Sequence, residues 1–224
     1  AKAYLYRATG DFGVKDAAPQ EPTMAHLTEK RGDTVHLDII DRWGNMVSAT
    51  PSGGWLQSNP VIPGLGFPLN SRAQMFWLQE GLPTSLSPHR RPHTTLTPSL
   101  AEKSDGTRLV FGTPGGDQQD QWQLIWFLRF VHHGLDLQAG LDAPLFHSMH
   151  FQSSFFPRQA LPGEMTIEPN FGEAAINSLR ARGHIVTVAE PWSVGRLTAA
   201  LRHPDGNLQA AATPRLMQAY AVGR

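Results

Sequence analysis

The residues with the clearest chemical potential open a short extended run, Gly32-Asp33-Thr34-Val35-His36, continued by Leu37-Asp38-Ile39-Ile40-Asp41. A threonine hydroxyl is a poor nucleophile until an adjacent base takes its proton. A free α-amine titrates near about 7.7–8.0, so a substantial neutral fraction is present at physiological pH and can be that base. Cleavage between Asp33 and Thr34 would give one residue both groups. The same hydroxyl can make the cut, by attacking the Asp33 carbonyl with an N-to-O acyl shift. Residues 1–33 and 34–224 would then be parts of two different mature subunits. On the pentapeptide alone, the plainer reading of Thr34 is an ordinary strand threonine.

Other groups could serve the same chemistry. Ser52, two residues past Thr50, can reach the Thr34 hydroxyl across a hairpin, although beside Pro51 and Gly53 it also reads as a turn serine. Gly115 and Gly116 stand between a strand end and a helix start, where successive backbone N–H groups can face a developing oxyanion. Glycine pairs also mark plain turns. Asp117 fits as the N-cap of the helix that follows. Arg90-Arg91-Pro92-His93-Thr94-Thr95 offers two hydroxyls and guanidinium groups to a carboxylate, or is simply a solvated, proline-bent loop. His132-His133 and His147/His150 lack acidic residues at ligand spacing and read as surface or capping histidines, so no metal site is expected.

Alternation over residues 34–50, broken by Arg42-Trp43-Gly44-Asn45, predicts a β-hairpin that presents Thr34. Residues 51–98 are loop-rich, with eight prolines, and a stretch of that length is more often functional than idle. Strands are predicted at 107–112, 185–189, 195–202 and 208–212, and helices at 117–133, 137–142 and 171–182. Trp55, Phe67, Phe76, Trp77 and Trp122 read as core or pocket wall. Residues 1–33 look irregular, a linker or the tail of an upstream half. Helices and hairpins in this order favour an α+β layered domain.

Composition narrows the function classes. The 224 residues, 40% apolar, can bury the core of one domain or a large part of one. Lys+Arg and Asp+Glu balance at 19 each, which leaves no electrostatic footprint for nucleic acid. No run approaches the roughly 18 apolar residues of a membrane span. The first residues carry no basic-then-apolar secretory signal. With no cysteine, thiolate chemistry and disulfides are excluded.

Taken in order, several segments resemble the small, C-terminal catalytic subunit of γ-glutamyltranspeptidases, which are N-terminal nucleophile hydrolases. They are Asp33-Thr34-Val35-His36, Asp41-Arg42-Trp43-Gly44-Asn45, Pro63-Gly64-Leu65-Gly66 with Leu69-Asn70, Arg91-Pro92-His93-Thr94-Thr95-Leu96-Thr97-Pro98, Gly112-Thr113-Pro114-Gly115-Gly116, Asp142-Ala143-Pro144-Leu145-Phe146-His147 and Pro214-Arg215. The resemblance implies a four-layer αββα sandwich completed by a large subunit from the same precursor, as a heterodimer or a dimer of heterodimers. Residues 1–33 would be the tail of that large subunit and 34–224 the small-subunit catalytic domain.

The resemblance also implies roles. Asp33 and Thr34 would flank the cleavage site, with Thr34 the nucleophile, Ser52 its supporting hydroxyl, and Gly115 and Gly116 the oxyanion donors. Thr94 and Thr95 stand where the family has two serines that hold the glutamyl α-carboxylate. The substrate would be a small-molecule γ-glutamyl amide of the glutathione kind, with water or an amine as acceptor and no cofactor. Bacterial members would imply a periplasmic or extracellular site, with the cytoplasm left open. Three positions depart from the pattern: Gly54 replaces an asparagine, and Arg72 and Met75 replace the acceptors that grip the substrate ammonium. Arg72 therefore points to an acyl group that lacks the ammonium or carries an extra carboxylate for Arg72 to pair, of the glutaryl, cephalosporin-type or poly-γ-glutamate kind. An unprocessed, non-catalytic homologue is the reading from outside the enzymes.

Overall fold

Strands β1 (Leu37–Ile40) and β2 (Met46–Ala49) pair antiparallel, Leu37 opposite Ala49 and Ile39 opposite Val47. Their turn is built by one carboxylate: Asp41 accepts from the N–H groups of Trp43 and Asn45 and from the Asn45 side chain. Gly44 supplies the positive φ, +86°, that lets the chain reverse. The computed structural model describes residues 34–53, 61–217 and 219–223. Residues 1–33, Asp33 among them, and Gly54 and Trp55 lie outside the described residues, as does the expectation of an irregular N-terminal segment.

The chain divides into two units, one of Thr34, Ser52–Thr95 and Gln152–Ala160, the other of Val35–Pro51, Leu96–Phe151 and Leu161–Arg224. The second holds every named strand among the described residues. Its larger sheet, all antiparallel, has the order β3 (Ser99–Glu102), β4 (Arg108–Gly112), β8 (Thr198–Arg202), β9 (Leu208–Ala212). A second sheet runs β5 (Phe146–Ser148), β6 (Glu164–Ile167), β7 (Ile185–Val188), with β6 and β7 parallel. Helices α1 (Gln119–Val131) and α2 (Leu137–Asp142) cover one face of the larger sheet. Helix α3 (Glu173–Ala181) packs on β7.

The core lies between the larger sheet and α1 and α2. Leu109, Phe111, Ala199, Leu201 and Ala211 meet Trp122, Trp126, Leu137 and Leu141, all buried. Phe111 is 5.1 Å from Trp126 and stacks on Phe127 at 5.4 Å, within the range of favourable ring pairing. Alternate residues of β4 and β8 point to the opposite face, where β1 and β2 pack on them. Helices, sheet and hairpin thus make three successive layers, α–β–β.

The α+β class, the hairpin, β4, β7, β8, β9 and the three helices match expectation within a few residues. Three strands were not expected: β3, β5 and β6. Asp117 is not the N-cap. Helix α1 starts later, at Gln119, and its N-cap Gln118 makes no side-chain capping bond, because a turn from Gly116 to Gln119 occupies the entry. Phe67 is exposed rather than core, whereas Trp122 is core. No helix among the described residues is long and apolar enough to cross a membrane.

Candidate active site

In the smaller unit, the Thr34 hydroxyl lies 2.7 Å from the Ser52 hydroxyl, a hydrogen bond in which either oxygen can donate. The pair is partly buried. Thr34 immediately precedes Val35, whose N–H donates to the Pro51 carbonyl, so the two hydroxyls sit at the open end of the hairpin. Gly53 follows with φ +88°. Its carbonyl accepts from the Ser71 N–H and hydroxyl, and Ser71 is buried.

That tie brings in Arg72. Its N–H donates to Asn70 Oδ1 at 2.7 Å, and it opens a short 3-10 helix, Arg72–Met75. A Cβ on Gly53 would lie 3.1 Å from Arg72 Nε, so the arginine side chain runs directly over the residue after Ser52. Thr34, Ser52 and Arg72 are therefore gathered in one neighbourhood. Met75 is buried in the unit's interior.

Thr94 and Thr95 belong to the same unit, Thr94 exposed and Thr95 half-buried. Their loop is anchored next door by a 2.9 Å hydrogen bond between His93 Nε2 and Ser154 Oγ. Arg158 steadies the segment beyond it: it donates to the carbonyls of Ser154, Gln74 and Phe76 and stacks 4.5 Å over Trp77.

Gly115 and Gly116 lie in the larger unit, in the link from β4 to α1. Gly115 has φ +147°, and a Cβ there would press on the Trp122 ring, so both conformation and space demand glycine. The Pro114 carbonyl accepts from the Thr113 hydroxyl, and the Gly115 carbonyl from the Gln119 side chain. Across a trans peptide the N–H points opposite to the carbonyl. The N–H groups of Gly115 and Gly116 are therefore directed away from Thr113 and Gln119.

Two histidines differ from expectation. His147 is no surface residue: Trp122 Nε1 donates to its Nδ1, and burial pushes its pKa down to about 4. It is a neutral packing group because desolvation disfavours the imidazolium. His36 was given no role beyond the motif that contains it. Its Nδ1 is 2.7 Å from Thr50 Oγ1 and its Nε2 3.0 Å from Asp38 Oδ2, with the ring wholly enclosed. A period-2 reading could have found it, since Thr34, His36 and Asp38 alternate with Val35, Leu37 and Ile39.

Against known proteins, the family model described as Gamma-glutamyltranspeptidase matches residues 4–223. The oxamate amidohydrolase proenzyme of Klebsiella pneumoniae is 34% identical over 189 residues, covering 82% of this chain and 34% of that protein. The chain thus spans about a third of the length of such curated relatives. Among solved structures, LmbA2991T421A is 60% identical with a TM-score of 0.79, over 87% of this chain and 34% of that one. The gamma-glutamyltranspeptidase of Pseudomonas nitroreducens, complexed with L-DON, is 25% identical with a TM-score of 0.65, over 85% of this chain and 98% of that one. The fold is that of the αββα N-terminal nucleophile hydrolases, and the chain is a member of the gamma-glutamyltranspeptidase family.

Proposed function

We propose that this chain carries the nucleophile of an amide hydrolase and acyltransferase activated by cleavage before Thr34. The observation that carries the reading is the 2.7 Å hydroxyl pair of Thr34 and Ser52 at the head of the hairpin. In the precursor, Thr34 Oγ1 attacks the Asp33 carbonyl. The amide becomes an ester, and water releases the Asp33 carboxylate and the Thr34 α-amine. In turnover, that amine takes the hydroxyl proton while Oγ1 attacks the substrate amide carbon. Ser52 steadies the attacking oxygen, and the N–H groups of Gly115 and Gly116 stabilise the oxyanion. The leaving amine departs protonated, and water or a second amine resolves the acyl-enzyme.

Two further observations support cleavage into subunits. The matching P. nitroreducens chain is spanned almost whole, while that of LmbA2991T421A is spanned to a third. The outward face of the hairpin, Val35, Leu37, Ile39 and Val47, is apolar and exposed, which suits coverage by the remainder of the precursor as the large subunit.

The acyl group we favour is γ-glutamyl, its α-carboxylate held by the Thr94 and Thr95 hydroxyls. Arg72 supports a second reading, an acyl group with a carboxylate and no ammonium, of the glutaryl, cephalosporin-type or poly-γ-glutamate class. Oxamate, named for the Klebsiella relative, is likewise an amide whose acyl half carries a carboxylate and no ammonium.

Intact-mass analysis of the full-length precursor should show a fragment that begins at Thr34. Thr34→Ala should leave one uncut chain and lower amidase activity by at least about 10⁴-fold, the scale of losing a nucleophile. Cleavage persisting at that bond would refute the assignment. A panel of γ-glutamyl and glutaryl anilides then separates the two acyl readings.

A further inference from the structure

The inner face of the hairpin is polar and enclosed. Asp38 Oδ2 accepts from His36 Nε2 at 3.0 Å and from the Thr198 hydroxyl at 2.8 Å. The His36 and Asp38 side chains are 0% and 3% exposed. The His36 ring abuts Gly112 of β4, where any Cβ would overlap it. On its other side the ring reaches across the hairpin to the Thr50 hydroxyl. The imidazole thus links β1 to the end of β2 and to β4, and the Asp38 carboxylate links β1 to β8.

We propose that Asp38 is a positioning residue for the nucleophile. It fixes the His36 ring so that the His36–Thr50 bridge clamps the open end of the hairpin. This rests on the reading of Thr34 as the attacking residue. The placement in the chain is what gives the bridge its leverage: Thr34 is two residues before His36, and Ser52 two residues after Thr50. A lone hairpin of four-residue strands is marginal in water. Its turn end is held by Asp41, and its open end by this bridge together with the Val35–Pro51 backbone bond.

A carboxylate only accepts hydrogen bonds, so His36 Nε2 carries a proton toward Asp38. In the neutral ring, Nδ1 is then left to accept from the Thr50 hydroxyl. Asp38 thus determines the direction of the cross-strand bond. The cluster is also incompletely satisfied: Asp38 Oδ1 is buried with no hydrogen-bond partner among the described residues. A group present only to hold the fold would be expected to have both oxygens paired. Retention of the unpaired oxygen fits a residue kept for what it does to its neighbour.

The test is Asp38→Asn in the full-length precursor. The substitution removes the charge that favours Nε2–H in either amide orientation, and an amide that turns its nitrogen toward His36 Nε2 cannot accept, which reverses the tautomer to Nδ1–H. We expect cleavage before Thr34, and kcat on a γ-glutamyl or glutaryl anilide, to fall about 10- to 100-fold, the cost of a misplacement of about 1 Å at a reacting group. KM should stay within about twofold, because no substrate contact is removed. The thermal midpoint should stay within about 5 °C. ¹⁵N spectra of histidine-labelled protein, with the His36→Gln spectrum to assign the ring, should show the switch from Nε2–H to Nδ1–H.

Unchanged cleavage and kcat would overturn the role, as would a large fall in thermal midpoint that accounts for the lost activity. Should Asp38→Asn not fold, Thr50→Val serves in its place: it removes the far end of the bridge at nearly constant shape. It should lower kcat as Asp38→Asn does, and Thr50→Ser should restore it; equal activity in the two overturns the proposal. An unvaried precursor that never forms a Thr34 terminus removes the proposed function, and this role with it. A normal terminus with an indifferent Asp38→Asn removes this role alone.

Discussion

The larger unit buries two charged clusters, and they are built on opposite plans. Glu168, directly after β6, accepts from the backbone N–H groups of Leu145 and Val194 and pairs with both Nε and an Nη of Arg215, at 2.9 and 2.7 Å. Arg215 spends its other protons on the carbonyls of Leu141 and Ala143 and on the Thr213 hydroxyl, with Trp192 stacked at 5.0 Å. Both carboxylate oxygens are engaged. The Asp38 cluster leaves one oxygen without a donor among the described residues and shares the other between an imidazole and the Thr198 hydroxyl. Full satisfaction is what a buried ion pair needs simply to break even. The Glu168–Arg215 pair is therefore an architectural staple that joins the end of β6, the end of α2 and the segment after β9. The Asp38 cluster is arranged around one ring, two residues along the chain from the proposed nucleophile.

That contrast is broken most directly by Glu168→Ala. It would strand a guanidinium that is 1% exposed, and losing one partner of a buried pair costs roughly 3–5 kcal/mol. Urea unfolding should show that loss, whereas a loss below about 1 kcal/mol would mean that the carbonyls alone hold Arg215. Burial pushes the Glu168 carboxyl up, but Arg215 and the two N–H groups outweigh it and hold the pKa below the usual value. Its contribution is therefore present above about pH 4.5, the unfolded value, and is lost as pH falls through the lower folded value.

Acid titration sharpens the comparison, because a third group, half-buried, fails in a different window. With its folded pKa at about 4 against 6.5 unfolded, His147 must stay neutral to remain beside Trp122. The unfolded chain binds more protons between those values, so stability falls as pH drops from about 6.5 toward 4. The loss should reach roughly 2–3 kcal/mol at about 1.4 kcal/mol per pKa unit. His147→Gln should flatten that limb and leave the fall below about pH 4.5, to which Glu168 contributes. A curve unchanged by the substitution would mean that the ring can be protonated in place.

How much of this was legible beforehand follows the range of the interactions. The hairpin, β4 and the three helices announce themselves through local periodicity, and Asp41 and Gly44 through turn chemistry. Strand β3, Ser-Leu-Ala-Glu, has a weak pattern and exists because β4 pairs with it. Three-residue β5 is too short to show a period. Thr34 and Ser52 were readable because a hairpin sets them opposite each other. The Asp38 cluster was not, since its members, from Asp38 to Thr198, meet only through the packing of β1 on β8. Likewise Pro214-Arg215 was visible as a motif, but its partner Glu168 is 47 positions away and carries no local signal.

Thr198→Val gives the smallest expected effect and the closest test of the contrast. It removes one of the two donors to Asp38 Oδ2 at nearly constant volume and leaves His36 as its partner among the described residues. A hydrogen bond to a buried charge is worth about 1.5–3 kcal/mol, but His36 still engages the same oxygen, so a cost of roughly 1–2 kcal/mol is expected. A cost equal to that of Glu168→Ala would make the two clusters alike, both structural, and would remove the basis for treating Asp38 differently. The sharper outcome comes from the cycle of Thr198→Val, Asp38→Asn and their combination, read in kcat as well as in stability. If Asp38 acts by orienting the ring, the double variant should match Asp38→Asn alone in kcat, because among the described residues the hydrogen-bonded link from Thr198 to His36 runs through that carboxylate. Additive losses in kcat would instead mean that Thr198 supports the hairpin on its own.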